Sequence, residues 1–71
     1  MDLTINEALQ KGIQAHKTGK FNEAEKYYTA ILKAQPQHPD ANHNMGALAI
    51  SAGKTEEALP FFKIALEANQ I

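Results

Sequence analysis

Sliding the chain along itself by 34 residues lays Gly12 on Gly46 and Gly19 on Gly53. The same shift superposes Ala15 on Ala49, Lys20 on Lys54, Glu23 on Glu57, Ala24 on Ala58, Leu32 on Leu66 and Ala34 on Ala68. Tyr27 and Tyr28 fall on Phe61 and Phe62. Matching of this kind, concentrated at small and aromatic positions, marks a repeated supersecondary unit rather than a single irregular core. The chain has 71 residues, so each unit takes about half of it, and two copies must bury their apolar faces on each other. No second domain fits in this length.

Within each unit the spacing predicts two helices. Thr4 and Glu7 form a capping box for the first, which should end near Gly19. Ala24, Tyr27, Tyr28, Ile31 and Leu32 make an i, i+3, i+4, i+7, i+8 stripe for the second, with Asn22 as its expected cap and Pro36 as its stop. Pro39 suits the first position of a third helix, where Asp40 meets the positive end of the macrodipole; Met45, Leu48, Ala49 and Ala52 give its inner face. Thr55 is the expected cap of a fourth, with Glu56 and Glu57 in its first turn and a stripe of Ala58, Phe61, Phe62, Ala65 and Leu66. Pro60 should bend this helix slightly without breaking it. Twelve alanines and no valine favour helix over sheet, and Ala8, Gly12, Ala15 and Ala24 let two axes come close while Tyr28 fills the space beside them. The fold class is therefore all-α: two helix-turn-helix repeats, four antiparallel helices of about 12 to 15 residues each.

Several function classes are set aside on the same residues. There is no cysteine, hence no disulfide, thiolate nucleophile or Cys-based zinc site. All seven basic residues are lysine and the net charge is -1, which gives no electrostatic footprint for nucleic acid. No apolar run reaches the length of a membrane span, and Met1-Asp2-Leu3-Thr4 does not open a signal peptide, so no membrane association is expected and the protein is read as cytoplasmic. His38 and His43 are five residues apart and diverge on a helix, Ser51 is the only serine and has no partnered His and Asp by spacing, and no glycine-rich phosphate loop occurs. The neighbouring acids Glu23 with Glu25 and Glu56 with Glu57 do not face each other. No catalysis, metal or cofactor is expected.

The chain resembles the tetratricopeptide repeat family. Met45-Gly46 with Ala58 and Phe62 matches that signature in one unit, and Gly12 with Ala24, Tyr28 and Pro36 in the other. The departures are Lys11 at a leucine position, Ala8 and Asn42 at tryptophan positions, Ala15 and Ala49 at tyrosine positions, and Gln70 where proline is usual. The resemblance implies one domain over 1–71, repeat 1 about 5–38 and repeat 2 about 39–71, stacked as a short right-handed α-solenoid with no capping helix. It also implies that the first helix of each repeat lines a concave peptide-binding groove.

On that frame Leu9, Ile13, His16, His43, Asn44, Ala47 and Ile50 should face a ligand that is a protein or peptide. Asn44 is the favoured contact, because its amide offers donor and acceptor to a backbone whatever the ligand's side chains. Its place before Met45-Gly46 is similar to the asparagine ladder of the repeats in O-GlcNAc transferases. The carboxylate clamp that other members use on chaperone tails is not expected, since Leu9 and Ile13 replace its lysine and asparagine. Two repeats leave an apolar end at Ile71, where a further repeat or cap would begin. A second reading is therefore a homo-oligomer or helix-swapped assembly in which Leu59, Phe61, Phe62 and Leu66 are buried between chains. A third makes the chain the appended repeat segment of a larger enzyme such as a glycosyltransferase.

Overall fold

The computed structural model describes residues 3–68. They form four helices and, among the described residues, no strand: α1 (Ile5–Lys17), α2 (Phe21–Ala34), α3 (Pro39–Ser51) and α4 (Thr55–Ala68). The departure expected at Gln70, the open end at Ile71 and the start at Met1 and Asp2 lie outside the described residues.

The capping box forms as expected. The Glu7 amide donates to Thr4 Oγ1 at 3.1 Å and the Thr4 amide donates back to Glu7 Oε1 at 3.1 Å. At the other end of α1 the chain reverses through a complete Schellman motif, with the Gly19 amide on the His16 carbonyl and the Lys20 amide on that of Ala15 at 2.8 Å. Gly19 has φ +79°, the left-handed conformation that glycine adopts without a Cβ penalty. The turn recurs after α3. Gly53, also at φ +79°, donates to Ile50, and Lys54 donates to Ala49 at 2.8 Å.

These tight turns correct two expected caps. Lys20 is the N-cap of α2, with no side-chain cap bond, and Asn22 already lies inside the helix. Thr55 is likewise the first helical residue of α4 and not its cap. Because the Schellman turn takes only Thr18–Lys20, no room remains for a separate capping residue after the glycine. The stop of α2 lies where expected: Gln35 is extended at φ -138°, ψ 84°, as the residue before Pro36 prefers. α3 starts on Pro39, and His38 caps it by accepting the Ala41 amide on Nδ1 at 3.0 Å. α4 runs unbroken through Pro60, which has no amide to donate to the carbonyl of Glu56 one turn back; both residues are exposed.

α1 pairs with α2 and α3 with α4, while α3 also packs on α2 and runs beside α1. The backbone of α4 approaches only that of α3. The result is a slab of 30 × 28 × 16 Å. Its core holds Ala8, Leu9 and Ala15 of α1, Ala24, Tyr28 and Ile31 of α2, and Ala41, Met45 and Leu48 of α3. The two glycines inside helices fall where the repeat requires. A Cβ on Gly12 would stand 2.5 Å from the Tyr28 ring, and one on Gly46 2.7 Å from the Phe62 ring, so each hairpin closes by laying an aromatic ring on bare backbone.

Two positions assigned to apolar faces are instead in water. Ala52 is exposed, because it lies beyond the last residue of α3. Leu66 is 70% exposed, because no helix among the described residues covers that side of α4.

Asn42, at a tryptophan position of the family, is 1% exposed. Its Nδ2 donates to the carbonyls of Pro36 at 3.1 Å and His38 at 2.9 Å, fastening the α2–α3 loop to the helix it precedes. A buried amide that satisfies two loop carbonyls offsets much of its own desolvation.

Candidate functional site

Four of the residues expected to face a ligand sit on α3 and three on α1. At 100° per residue His43, Ala47 and Ile50 fall within a 60° arc opposite the buried Ala41, Met45 and Leu48. Asn44 lies about 60° outside that arc, on the side of Ser51, which bonds His16 of α1. His43 is exposed, Asn44 and Ala47 are half-buried, and Ile50 is 49% exposed. On α1, Ile13 and His16 are half-buried on the corresponding face.

Leu9 departs from the expectation. It is 7% exposed and belongs to the buried cluster with Ala41 and Met45, because α3 lies alongside α1 and draws Leu9 into the seam. Its counterpart His43 has no further first helix beside it among the described residues and stays in water.

The wall is tied at one end by a contact that spacing alone gave no hint of. His16 Nε2 and Ser51 Oγ are 2.8 Å apart, a hydrogen bond joining the last turns of α1 and α3. The His16 ring also meets Phe21 edge-on, centroids 5.6 Å apart. His43 lies against Phe62 at 5.5 Å, so each imidazole is steadied by an aromatic residue of the following helix. His16, Lys17, Gly19, Phe21 and Ser51 surround an open hollow of about 380 Å³. The His16–Ser51 bond was findable only by laying the two first helices side by side, since 35 residues separate the partners.

Asn44 Nδ2 donates to the Asp40 carbonyl one turn back at 2.8 Å. That uses one of its two donor hydrogens.

Of the residues expected at a self-association face, Leu59 is 65% exposed and Leu66 projects beside it two turns later. Phe61 and Phe62 are half-buried in their own chain, Phe61 against the core and Phe62 over Gly46. A separate cleft of about 270 Å³ runs between α2 and α4 over α3, lined by Phe21, Glu25, Met45, Lys54, Glu57 and Phe61.

No cluster of three or more His, Asp or Glu side chains among the described residues could hold a metal ion. No helix among them is long and apolar enough to cross a membrane. The one buried side-chain polar atom lacking a partner among them is the Tyr28 hydroxyl, whose acidity burial weakens by raising its pKa above the usual 10.0.

No solved structure matches the chain. The family model described as tetratricopeptide repeat matches residues 15–70, which takes in the last turn of α1 and all of α2, α3 and α4. With its glycine-on-aromatic hairpins repeating in register and that match covering most of its length, the chain belongs to the tetratricopeptide repeat family.

Proposed function

We propose that this chain is a non-catalytic interaction module that takes a short peptide segment or partner helix along the inner wall formed by α1 and α3. Tetratricopeptide repeats are in general protein–protein interaction modules, which sets the class. The observation that carries the finer reading is Ile50, half in water in the last turn of α3 and on the same face as Ala47. An apolar strip bordered by polar side chains favours a ligand that brings an apolar side chain to the strip and backbone amides to its edge. Asn44 supplies the amide contact, and His16 and His43 bound the strip at two corners.

The test starts from peptides selected out of a random library on the immobilised chain, titrated into isotope-labelled protein. Amide shifts should gather at Ile13, Asn44, Ala47 and Ile50. Asn44→Ala should weaken binding by about 1 to 3 kcal/mol, roughly five- to 150-fold, with helicity unchanged. Shifts confined to α2 and α4, or equal affinity after Asn44→Ala, would reject the groove.

A further inference from the structure

The internal repeat identifies what each end of the slab is built to meet. Inside the molecule α3 packs on α2 beside Tyr28 and Leu32, with Phe21 and Glu25 lining the cleft at one end of that seam, and the 34-residue shift carries these four positions to Thr55, Leu59, Phe62 and Leu66 of α4. Among the described residues no helix other than α3 lies against that strip. Leu59 stands where repeat 1 has the exposed Glu25, and Thr55 where it has Phe21, so the apolar part of the α4 strip is Leu59, Phe62 and Leu66. The opposite end is built differently. The residues of α3 that meet α2 are Ala41, Met45 and Leu48; their counterparts on α1 are Glu7, Lys11 and Gln14, all exposed. A second copy cannot continue the stack head to tail, because that would press Leu59 and Leu66 onto Glu7 and Lys11 and desolvate charges without partners.

We infer that the α4 strip is an interface with the α4 strip of a second copy of this chain, in a closed twofold dimer. Leu59 and Leu66 are two helical turns apart with Phe62 and Lys63 between them. Antiparallel pairing of two α4 helices about an axis beside Phe62 and Lys63 sets Leu59 against Leu66 of the second copy and Leu66 against its Leu59. The same axis lays the Lys63 stem across Phe62 of the second copy while its ammonium stays in water. Such an interface is self-complementary and stops at two chains, since the polar α1 ends face outward. It leaves the α1–α3 wall open and does not depend on that wall binding anything.

Sedimentation equilibrium of the whole chain tests this. The mass should rise with concentration from 7.8 kDa towards twice that value and no further. Leu59→Lys with Leu66→Lys in one chain, and Leu59→Glu with Leu66→Glu in another, should each remain monomeric with an undiminished helical signal, and their mixture should restore the pair. The chain has no cysteine of its own, so register can be read directly even if a charged variant fails to fold. A Leu59→Cys chain mixed with a Leu66→Cys chain should cross-link several-fold faster than either alone. A wild-type chain that stays at 7.8 kDa up to about 1 mM, assemblies larger than two, or preferential cross-linking of identical cysteine positions would each overturn the proposal.

Discussion

Tyr28 and Phe62 occupy one place in two hairpins of the same pattern, yet Tyr28 is sealed at 0% exposure and Phe62 is half open. Both rings lie on a glycine of the preceding helix. The difference comes from outside the hairpin: α3 covers the outer side of α2, and nothing among the described residues covers the outer side of α4. Leu32 and Leu66 tell the same story, one half-buried and the other exposed, as do Leu9, buried, and His43, exposed, at matched positions of α1 and α3. In a repeat protein the burial of a residue is set by its neighbour unit as much as by its own sequence.

Substitutions at matched positions can sharpen or break this contrast. The largest effect should come from Tyr28→Ala, which removes a fully buried ring and costs about 3 to 5 kcal/mol, close to the whole stability of so small a domain. Phe62→Ala should cost about 1 to 2 kcal/mol, since part of that ring is already in water. Urea melts in dilute solution that gave equal losses would show that the two hairpins are equivalently covered. Next come the glycines. Gly12→Ala drives a Cβ into a ring that cannot move and should cost about 2 to 3 kcal/mol. Gly46→Ala meets a ring with room to shift and should cost about 1 kcal/mol.

Asn42→Ala installs in repeat 2 the residue type that repeat 1 carries at Ala8. It should cost about 1 to 2 kcal/mol, because the Pro36 and His38 carbonyls lose a donor that repeat 1 never needed. Tyr28→Phe deletes a hydroxyl that has no partner and should change stability by less than about 1 kcal/mol at neutral pH. Its distinguishing effect is on the alkaline side. The raised pKa of Tyr28 means that stability holds below pH 10.0 and falls as pH rises through the higher folded value, a loss that Tyr28→Phe should abolish. The smallest change belongs to Glu7→Gln. Its carboxylate is held below 4.5, first by the Thr4 backbone amide and then by the Thr4 hydroxyl, so the stability it contributes is present above 4.5 and lost as pH falls through the lowered value. The variant should show a shallower acid limb in melts taken from pH 5 downward.

Much of this was legible in the sequence, for a physical reason. Glycine opposite an aromatic residue at a repeated offset leaves few ways to close a helical hairpin, so Gly12 with Tyr28 and Gly46 with Phe62 could be paired before any coordinates. The capping box of Thr4 and Glu7 is equally local. The misplaced caps at Asn22 and Thr55 share one origin, because propensity for a capping side chain was outweighed by the Schellman turns at Gly19 and Gly53, which let Lys20 and Lys54 begin the helices without one. Leu9 and the His16–Ser51 bond were illegible for the opposite reason: both depend on how α1 and α3 lie against each other, and no periodicity within a helix encodes that seam.

Among the described residues, repeat 2 covers the outer side of repeat 1 while its own outer side stays open. Hydrogen exchange on the intact chain, followed residue by residue below the concentration at which copies associate, addresses that difference most directly. Amides of α2 around Tyr28 and Ile31 should open only with global unfolding, while those of α4 around Phe62 and Ala65 should exchange through a cheaper local opening that slows as protein concentration is raised. Equal protection of the two helices at every concentration would contradict the account.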